Sequence, residues 1–227
     1  MKVSIVIPCY NERATIEEVV KAIRAGPVQD IEIIVVDDGS TDGTKELLEQ
    51  KPPGWVDSVI LQERNQGKGA ALRRGFQTAT GELVLVQDAD LEYDPEDYPR
   101  LLRPILNGRS KVVYGSRFIG EHKAMYFWHS LGNRFVTLLT NVLYDTTLTD
   151  METCYKVATA DVMKRVRLTS PRWGFDPEMT AKILKTGNRI YEVPISYTGR
   201  EFEEGKKISW RDAFVVMATL IRCRFLP

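Results

Sequence analysis

The chain has 227 residues, 43% of them hydrophobic, so it is long enough to bury an ample core as one domain. Its 31 basic residues equal its 31 acidic residues, which argues against a protein that binds nucleic acid through a broad basic face. The three cysteines, Cys9, Cys154 and Cys223, lack zinc-ligand spacing and predict a reduced, cytosolic protein rather than a disulfide scaffold.

The first residues, MKVSIVIP, are too short for a signal peptide and lead directly into a predicted strand. No stretch approaches the ~18 or more apolar residues of a membrane-spanning helix. The sequence therefore predicts a chain that is soluble or at most peripheral to a membrane.

Short apolar runs alternate with helical patterns through the first half of the chain. The runs are rich in β-branched residues and nearly continuous, as expected of parallel strands that are covered on both faces. The predicted strands are 3–7, 31–36, 56–61, 83–86 and 111–116. Successive strand–helix units of this kind predict an α/β fold with a single doubly wound, mostly parallel sheet.

The first predicted helix lies between the first two strands, in TIEEVVKAIRAGP. Thr15 and Glu18 have the spacing of a capping box, and Gly26 with Pro27 marks the helix end. Two further helices are predicted in TDGTKELLEQ and GKGAALRRGFQTA, and another begins near Pro95.

The second half of the chain is less regular. Helices are predicted over 130–143 and 176–187, an extended segment over 189–197 and a terminal helix over 210–225. No repeat, low-complexity tract or long linker divides the chain, so one domain is the simplest organisation.

Polar or glycine-rich turns follow four of the predicted strands. They cover residues 8–12, 37–40, 65–69 and 88–92. Because ligands bind at the carboxyl ends of the strands in open α/β sheets, we expect these turns to converge on one site.

The segment 87–97, QDADLEYDPED, is dense in acidic side chains directly after an apolar strand. Residues two apart on an extended segment point to the same side, so the carboxylates of Asp88 and Asp90 can face one cation. Their oxygen atoms suit Mg²⁺ or Mn²⁺, and Mg²⁺ usually takes one or two carboxylates together with substrate phosphates. The segment therefore predicts a divalent cation that holds a diphosphate. Asp94, Glu96 and Asp97 are interpreted instead as charge near a helix N-terminus.

Three residues outside that segment are further candidates for ligand contact. Asp37 and Asp38 could accept hydrogen bonds from a base or a ribose, or could form an Asx turn. Lys68 lies in the glycine-rich NQGKGAALRRG, which lacks the Walker spacing and the dinucleotide fingerprint, and it is predicted to contact a diphosphate or a base. His122 and His129 have no ligand residues nearby in sequence and are interpreted as ordinary surface or core residues.

These segments together resemble the family-2 glycosyltransferases of the GT-A fold, and most closely their dolichyl-phosphate mannose synthase-like branch. The matching strings span nearly the whole chain: VSIVIPCYNERATI, IIVVDDGSTDGT, NQGKGAALRRGFQTATGELVLVQDADLEYDPED, VVYGSRF, TDMETCYKV and VPISYTGREFEEGKKISWRD. The resemblance implies transfer of a sugar, with inversion, from a nucleotide-sugar donor such as GDP-mannose or a UDP-hexose, with Mg²⁺ or Mn²⁺ as cofactor. It also implies one glycosyltransferase domain over 1–227, with a nucleotide-sugar-binding half at 1–117 and an acceptor-binding half at 118–227.

The resemblance and the polar turns together assign roles to individual residues. The expected nucleotide-sugar contacts are Pro8, Tyr10, Glu12, Asp38, Lys68, Asp88, Ala89 and Lys206. The expected metal ligands are Asp88, Asp90 and Glu92. The expected catalytic residues are Asp90, Arg117 and Arg200, and the acceptor phosphate is expected to contact Arg117, Arg134 and Arg200.

The acceptor implied by the branch is a polyprenyl phosphate such as dolichyl or undecaprenyl phosphate. A phosphate acceptor is already ionised near neutral pH, since its second pKa is about 6, and needs guanidinium groups more than a general base. A hydroxyl acceptor, as in cell-wall or polysaccharide synthesis, needs a carboxylate base, for which Asp150, Glu152 and Asp176 are candidates.

The predicted terminal helix carries apolar residues at helical spacing close to basic ones. Such a segment can lie in a membrane surface, but it could equally pack on the body of the protein. Its apolar residues are Trp210, Phe214, Met217, Ile221 and Phe225. We therefore expect a cytoplasmic protein without a nucleic-acid partner, with two options at the membrane: peripheral contact with the cytoplasmic face, or a separate membrane-anchor protein.

Two rival classes of protein are weighed against this interpretation. A sugar-phosphate nucleotidylyltransferase normally carries a glycine-rich triphosphate loop near its first strand, and PCYNERAT has none. A non-catalytic nucleotide-sugar-binding scaffold at a membrane is disfavoured because Asp88, Asp90, Arg200 and Lys206 are all present.

Overall fold

The structure of the protein is a computed structural model that describes residues 1–52, 54–199 and 212–226. Arg200 and Lys206, two of the predicted site residues, lie outside the described residues. Trp210 and Arg211, at the start of the predicted terminal helix, also lie outside them.

One sheet runs through the described residues. Its strands in chain order are β1 Val3–Cys9, β2 Ile31–Asp37, β3 Ser58–Leu61, β4 Leu83–Val86, β5 Val112–Ser116, β6 Lys156–Thr159 and β7 Ile190–Pro194. Their order in the sheet is β3-β2-β1-β4-β6-β5-β7. Strand β6 runs antiparallel to β4 and β5, and the other neighbouring pairs are parallel. The prediction of an α/β fold with a single, mostly parallel sheet is confirmed.

Helices connect the strands. They are α1 Ile16–Ala25, α2 Thr44–Glu49, α3 Lys68–Thr78, α4 Tyr98–Leu106, α5 Phe127–Tyr144, α6 Ala160–Arg165, α7 Phe175–Lys185 and α8 Asp212–Phe225, with a short 3₁₀ turn at Pro95–Asp97 before α4. Strands β1, β2 and β4 are almost wholly buried, as expected for apolar runs covered on both faces. The main hydrophobic core extends along the sheet and includes buried residues of β1, β2, β4, β5, β6 and β7.

Strand β6 was not predicted from the sequence. It is short and contains Lys156, whose side chain is only 1% exposed because its ammonium pairs with the Asp176 carboxylate on α7. A short run that contains a charged residue is not recognised as a buried strand from the local sequence, because the partner that neutralises the charge lies far away in the chain. Since β6 lies between β4 and β5, the sheet combines strands from both predicted halves of the chain.

The capping box predicted for α1 is wrong. Thr15 has a helical backbone conformation, and its side chain makes no hydrogen bond to the helix N–H groups. Instead, the Thr15 hydroxyl lies 2.8 Å from the carbonyl oxygen of Ala89, in the acidic segment after β4. This contact ties the start of α1 to the loop in which the metal ligands are predicted.

The terminal helix α8 packs against α5 and α7. Val216 and Leu220 form a small core with Val136 and Met151, and Met217 is partly buried against it. The other described members of the predicted apolar stripe, Phe214, Ile221 and Phe225, are exposed. The helix therefore packs on the body of the protein through one face and presents apolar side chains on another. No helix in the described ranges is long and apolar enough to cross a bilayer.

Candidate active site

A cavity of about 850 Å³ opens at the edge of the sheet where β1, β2 and β4 end. Its volume lies within the range of ~300–1,000 Å³ that is usual for small-molecule sites. With one exception, Arg134, the predicted site residues that the structure describes line this cavity: Pro8, Tyr10, Glu12, Asp38, Lys68, Asp88, Ala89, Asp90, Glu92 and Arg117. The convergence of turns that was predicted from the sheet topology is therefore observed.

The two aspartates at the end of β2 have different structural roles. Asp37 accepts hydrogen bonds from the backbone N–H groups of Gly39 and Ser40 at 3.1 Å, so it forms the Asx turn that was one of the two alternatives. Asp38 accepts hydrogen bonds from the backbone N–H groups of Gln66 and Gly67, at 2.8 and 2.7 Å. Burial raises the pKa of Asp38, although these N–H donors oppose the shift. The Asp38 carboxylate therefore fixes the loop that precedes α3 as one wall of the cavity.

Close backbone packing joins that loop to residues 170–173. Gly67 has a φ of +96°, which favours glycine, and a Cβ atom there would lie 2.5 Å from the carbonyl oxygen of Pro171. The same carbonyl accepts a hydrogen bond from the backbone N–H of Ala70 at 3.0 Å. As a result, Arg172 and Trp173 line the cavity beside Lys68.

Lys68 and Asp88 form an ion pair across the cavity wall. The Lys68 Nζ lies 2.6 Å from Asp88 Oδ1, and the two side chains are 20% and 23% exposed. Burial disfavours both charged forms, but the pairing outweighs it: the pKa of Lys68 is raised well above its usual value, and the pKa of Asp88 is lowered. The pair thus joins the N-terminus of α3 to the segment after β4.

The remaining acidic residues of that segment face different partners. Asp90 lines the cavity, and its Oδ1 accepts a hydrogen bond from the backbone N–H of Glu92 at 3.2 Å. Glu92 also lines the cavity, where its Oε2 accepts a hydrogen bond from the Tyr197 hydroxyl at 3.0 Å. Asp94, by contrast, is exposed and accepts a hydrogen bond from the backbone N–H of Glu96, as the helix-terminus interpretation predicts.

Asp88, Asp90 and Glu92 suit a divalent cation by chemistry, since carboxylate oxygens on one cavity are the ligands that Mg²⁺ and Mn²⁺ take. In the described part of the chain, however, no three His, Cys, Asp or Glu side chains are grouped as a ready-made metal site. Mg²⁺ is commonly held by one or two carboxylates, with water and substrate phosphates as its other ligands. The residues therefore fit a cation that binds together with a diphosphate rather than a permanent metal centre.

Arg117 is held by a buried carboxylate. Its Nε and Nη2 donate to the two oxygens of Asp150 at 2.7 and 2.8 Å, and its backbone N–H donates to Asp150 Oδ2 at 3.1 Å. The guanidinium also lies over the Tyr197 ring, 5.3 Å from the ring centroid. Burial opposes the charge, but Asp150 outweighs it and raises the pKa of Arg117 well above its usual value. This pairing fixes the Arg117 guanidinium at the cavity wall. It also engages Asp150, one of the three candidate bases, in an ion pair.

Arg134 does not line the cavity. It is exposed on α5, and its guanidinium lies over the Phe118 ring, 5.4 Å from the centroid. Of the arginines predicted to contact an acceptor phosphate, the structure describes two. Arg117 lines the cavity, whereas Arg134 is exposed outside it.

Glu152 is the candidate base with the most unusual environment. Its Oε1 is buried without a hydrogen-bond partner, and the residue lines the cavity. Burial and the nearby Asp176 carboxylate raise the pKa of Glu152 from its usual 4.5 to about 7, against the opposing charge of Lys156. Asp176, the third candidate base, is occupied by its ion pair with Lys156.

Several cavity residues were missed by the sequence analysis. They include Arg172, Trp173 and Tyr197, and also His129, which was interpreted as an ordinary residue. A signal for Arg172 and Trp173 exists in PRWGFDPE, where a cation and an aromatic residue directly precede a helix. For Tyr197 no local signal exists, since it reaches the cavity through a pairing with Tyr93, far away in sequence.

Comparison with known proteins identifies a family. Residues 4–166 match the family described as Glycosyl transferase family 2. The chain is 31% identical over 211 residues to a dolichol-phosphate mannosyltransferase of Pyrococcus furiosus, covering 91% of this chain and 59% of that protein. It is 27% identical over 227 residues to an undecaprenyl-phosphate 4-deoxy-4-formamido-L-arabinose transferase of an Enterobacter species, covering 98% of this chain and 67% of that protein. The resemblance stated from the sequence motifs is confirmed.

A similar fold occurs among solved structures. Glucosyl-3-phosphoglycerate synthase from Mycobacterium tuberculosis, in complex with Mn²⁺, uridine diphosphate and glucosyl-3-phosphoglycerate, superimposes with a TM-score of 0.77 at 22% identity. The match covers 100% of this chain and 81% of that one. At this identity the likeness establishes the GT-A fold alone.

Proposed function

Because this chain belongs to glycosyl transferase family 2, we propose that it transfers a hexose from a nucleoside-diphosphate sugar to a polyprenyl phosphate. The observation that carries the proposal is the meeting of Lys68, Asp88, Asp90 and Arg117 in one cavity at the carboxyl edge of the sheet. The names of the Pyrococcus and Enterobacter relatives, which specify dolichol phosphate and undecaprenyl phosphate, support this class of acceptor.

The donor would lie along the turns after β1, β2 and β4. Pro8, Tyr10 and Glu12 would contact the nucleoside, beside the wall that Asp38 builds. Lys68 would contact the diphosphate, since its ammonium lies against Asp88 at the same edge of the sheet. GDP-mannose and the UDP-hexoses are the donors to examine first.

The departing group of this reaction is a nucleoside diphosphate, which accumulates negative charge as the sugar leaves. Asp90, with Asp88 or Glu92, would hold Mg²⁺ or Mn²⁺ against the diphosphate, and the cation would neutralise that charge. Lys68 would add a fixed positive charge at the same place. Since Asp88 is already paired, a bound diphosphate would compete with Asp88 for the Lys68 ammonium and free the carboxylate for the cation.

An acceptor phosphate would need cations and no general base, since it is ionised near neutral pH with a second pKa of about 6. Arg117 provides a guanidinium whose position is fixed by Asp150. The phosphate oxygen would attack the anomeric carbon opposite the diphosphate. The bond from that carbon to the diphosphate oxygen would break, both electrons would go to the diphosphate, and the configuration would invert. A polyprenyl acceptor would bring the protein to the cytoplasmic face of a membrane.

A hydroxyl acceptor is a second candidate, and one observation favours it. Glu152 lines the cavity with a buried oxygen that has no hydrogen-bond partner, and its pKa is raised to about 7. A carboxylate with this pKa is suited to take a proton from a hydroxyl nucleophile near neutral pH. The phosphate acceptor is our first proposal for two reasons. The names of the Pyrococcus and Enterobacter relatives specify polyprenyl phosphates, and the Arg117 guanidinium is held in place at the cavity wall.

The two acceptors can be separated with purified protein. The enzyme is incubated with nucleotide sugars and Mn²⁺, with either a short-chain polyprenyl phosphate or the corresponding polyprenol, and the release of nucleoside diphosphate is measured. The proposal predicts release of nucleoside diphosphate with the polyprenyl phosphate and not with the polyprenol. Release with the alcohol alone would assign the hydroxyl reaction, and release with neither would contradict transfer to a polyprenyl phosphate.

A further inference from the structure

Tyr197 lies in the cavity wall together with two of the predicted site residues. It is 8% exposed and lines the cavity with Glu92, a predicted metal ligand, and Arg117, a predicted contact of the acceptor phosphate. The function proposed above gives Tyr197 no role. Each part of its side chain, however, contacts one of those two residues.

The hydroxyl of Tyr197 orients the Glu92 carboxylate. It donates a hydrogen bond to Glu92 Oε2 at 3.0 Å, and the backbone N–H of the next residue, Thr198, donates to the Glu92 carbonyl at 3.0 Å. A carboxylate has two oxygens with about four lone-pair sites in all, so this hydrogen bond is compatible with cation binding by the same group. Groups that hydrogen-bond to a metal ligand fix its direction, and their loss typically lowers metal affinity by about 10–100-fold.

The ring of Tyr197 supports the Arg117 guanidinium. The guanidinium carbon lies over the ring, 5.3 Å from its centroid. This is within the ~6 Å over which a cation is attracted to the face of an aromatic ring. The Asp150 carboxylate holds the same guanidinium through Nε and Nη2. The direction of Arg117 is therefore set by a carboxylate and an aromatic ring together.

Tyr197 itself is held in place by its neighbours. Its backbone N–H donates to the carbonyl of Glu121 at 3.1 Å, and its carbonyl accepts from the backbone N–H of Lys123 at 3.0 Å. Its ring packs edge-on against Tyr93, with the centroids 5.4 Å apart. A side chain that is fixed in this way can hold the groups it contacts in a productive geometry.

We propose that Tyr197 is a positioning residue for both substrates of the reaction. Its hydroxyl directs Glu92 toward the cation that binds with the donor diphosphate, and its ring holds Arg117 for the acceptor phosphate. The inference rests on the proposed function, since that function places the cation at Glu92 and the acceptor at Arg117. Because the hydroxyl and the ring can be removed separately, the two contributions can be measured one at a time.

The first measurement is of cation binding and needs no turnover. Mn²⁺ is titrated into the protein with UDP or with GDP, and the free ion is followed by electron paramagnetic resonance. Tyr197→Phe removes the hydroxyl and keeps the ring, and its dissociation constant for Mn²⁺ should be higher than that of the wild type by about tenfold or more. The control is Tyr191→Phe, at a tyrosine of β7 that is 39% exposed, and it should bind Mn²⁺ as the wild type does.

The second measurement is of the acceptor, with transfer to a short-chain polyprenyl phosphate at saturating Mn²⁺. Tyr197→Phe keeps the ring under Arg117, so the KM for the polyprenyl phosphate should stay within about twofold of the wild-type value. Tyr197→Leu removes the ring as well, and this KM should rise by about fivefold or more relative to Tyr197→Phe. A tyrosine that served only for packing would not separate cation affinity from the KM for the acceptor in this way.

Other results would overturn the inference. If the wild type binds Mn²⁺ with neither nucleotide, or if Tyr197→Phe binds it as tightly as the wild type, the hydroxyl does not direct Glu92. Equal KM values for Tyr197→Phe and Tyr197→Leu would show that the ring does not hold Arg117. Circular dichroism verifies folding. Should Tyr197→Leu fail to fold, Tyr197→Phe decides through its affinity for Mn²⁺ and its KM for the polyprenyl phosphate.

Failure of this inference differs from failure of the proposed function. If the wild type transfers sugar to the polyprenyl phosphate but Tyr197→Phe binds Mn²⁺ normally, the positioning role is wrong and the proposed function stands. If the wild type binds Mn²⁺ with UDP or GDP but no polyprenyl phosphate accepts sugar, the proposed acceptor is wrong, and so is the role of the ring. The role of the hydroxyl is then decided by Mn²⁺ binding to Tyr197→Phe.

Discussion

The Lys68 ammonium lies 2.6 Å from the Asp88 carboxylate, so a residue at the start of α3 is linked to the segment after β4. Both residues line the cavity. The link places a positive and a negative charge at the same edge of the sheet, where a cation and a diphosphate would have to meet.

Replacing Lys68 by methionine should remove the stabilisation that this pair gives. Because the pKa of Asp88 is lowered in the folded protein, the pair contributes above the usual aspartate pKa and loses its contribution as pH falls through the folded pKa of Asp88. We expect Lys68→Met to lower the free energy of unfolding by about 1 kcal/mol near neutral pH and by less at about pH 3. Urea unfolding at both pH values measures this. An equal loss at both would mean that the pair is not the cause.

Asp90 should be required for binding of a cation together with a diphosphate. Asp90→Asn keeps the shape of the side chain but removes its charge, and we expect transfer to fall by about a hundredfold or more. The increase in thermal stability on adding Mn²⁺ with a nucleoside diphosphate should be lost too. Asp94→Asn, at an exposed carboxylate of the same acidic segment, is the control and should behave as the wild type. If Asp94→Asn loses as much activity as Asp90→Asn, the effect is one of general charge.

Glu152 should make the protein less stable as pH rises. Its pKa is raised to about 7, so the folded protein binds more protons than the unfolded chain between about pH 4.5 and about pH 7, and the free energy of unfolding falls across that interval. Glu152→Gln should remove this slope and gain on the order of 1–2 kcal/mol relative to the wild type above about pH 7. Chemical denaturation across this pH range is the measurement. If the free energies of unfolding of the wild type and Glu152→Gln changed in parallel with pH, the raised pKa of Glu152 would be contradicted.

The same variant reports on the acceptor. With a phosphate acceptor, Glu152→Gln should retain transfer within a few-fold, because no proton has to be removed. With a hydroxyl acceptor, transfer should fall by about 10²–10⁴-fold, the usual contribution of a general base. The rate with each acceptor, measured with the wild type as reference, separates the two reactions.

The pair of Arg117 and Asp150 should be important for stability as well as for the acceptor site. Asp150 is fully buried, so Asp150→Asn leaves the Arg117 charge without its carboxylate, and we expect a loss of about 3 kcal/mol. Lys111→Met breaks an exposed pair with Asp161 and should cost less than about 1 kcal/mol. Urea unfolding of the two variants compares them. If Asp150→Asn and Lys111→Met lowered the free energy of unfolding equally, burial would not explain the difference expected between the two ion pairs.

The sequence predicted those parts of the fold and site that depend on local patterns. The apolar runs that became β1, β2 and β4 are buried on both faces, and a run of that kind is recognisable without its neighbours. Because these strands are parallel, their carboxyl ends had to meet, and this placed Tyr10, Asp38 and Asp88 at one cavity.

The remaining features depend on contacts between distant parts of the chain. The raised pKa of Glu152 depends on its burial and on the Asp176 carboxylate, and Lys156 is acceptable in a buried strand because Asp176 pairs with it. Thr15 has the sequence of a helix cap, but the Ala89 carbonyl, brought close by the pairing of β1 with β4, provides a different acceptor. Residue spacing within one segment cannot identify these partners, because they lie far away in the sequence.

The most direct test of the account is transfer of labelled hexose from nucleotide sugars into a short-chain polyprenyl phosphate, with Mn²⁺, by the wild type and by Asp90→Asn. We predict a prenyl-phosphate hexose, together with one nucleoside diphosphate released for each sugar transferred, from the wild type and not from Asp90→Asn. Equal product from both proteins would contradict the role of the cavity. A wild type that neither binds nor consumes any nucleotide sugar would contradict the proposed function itself.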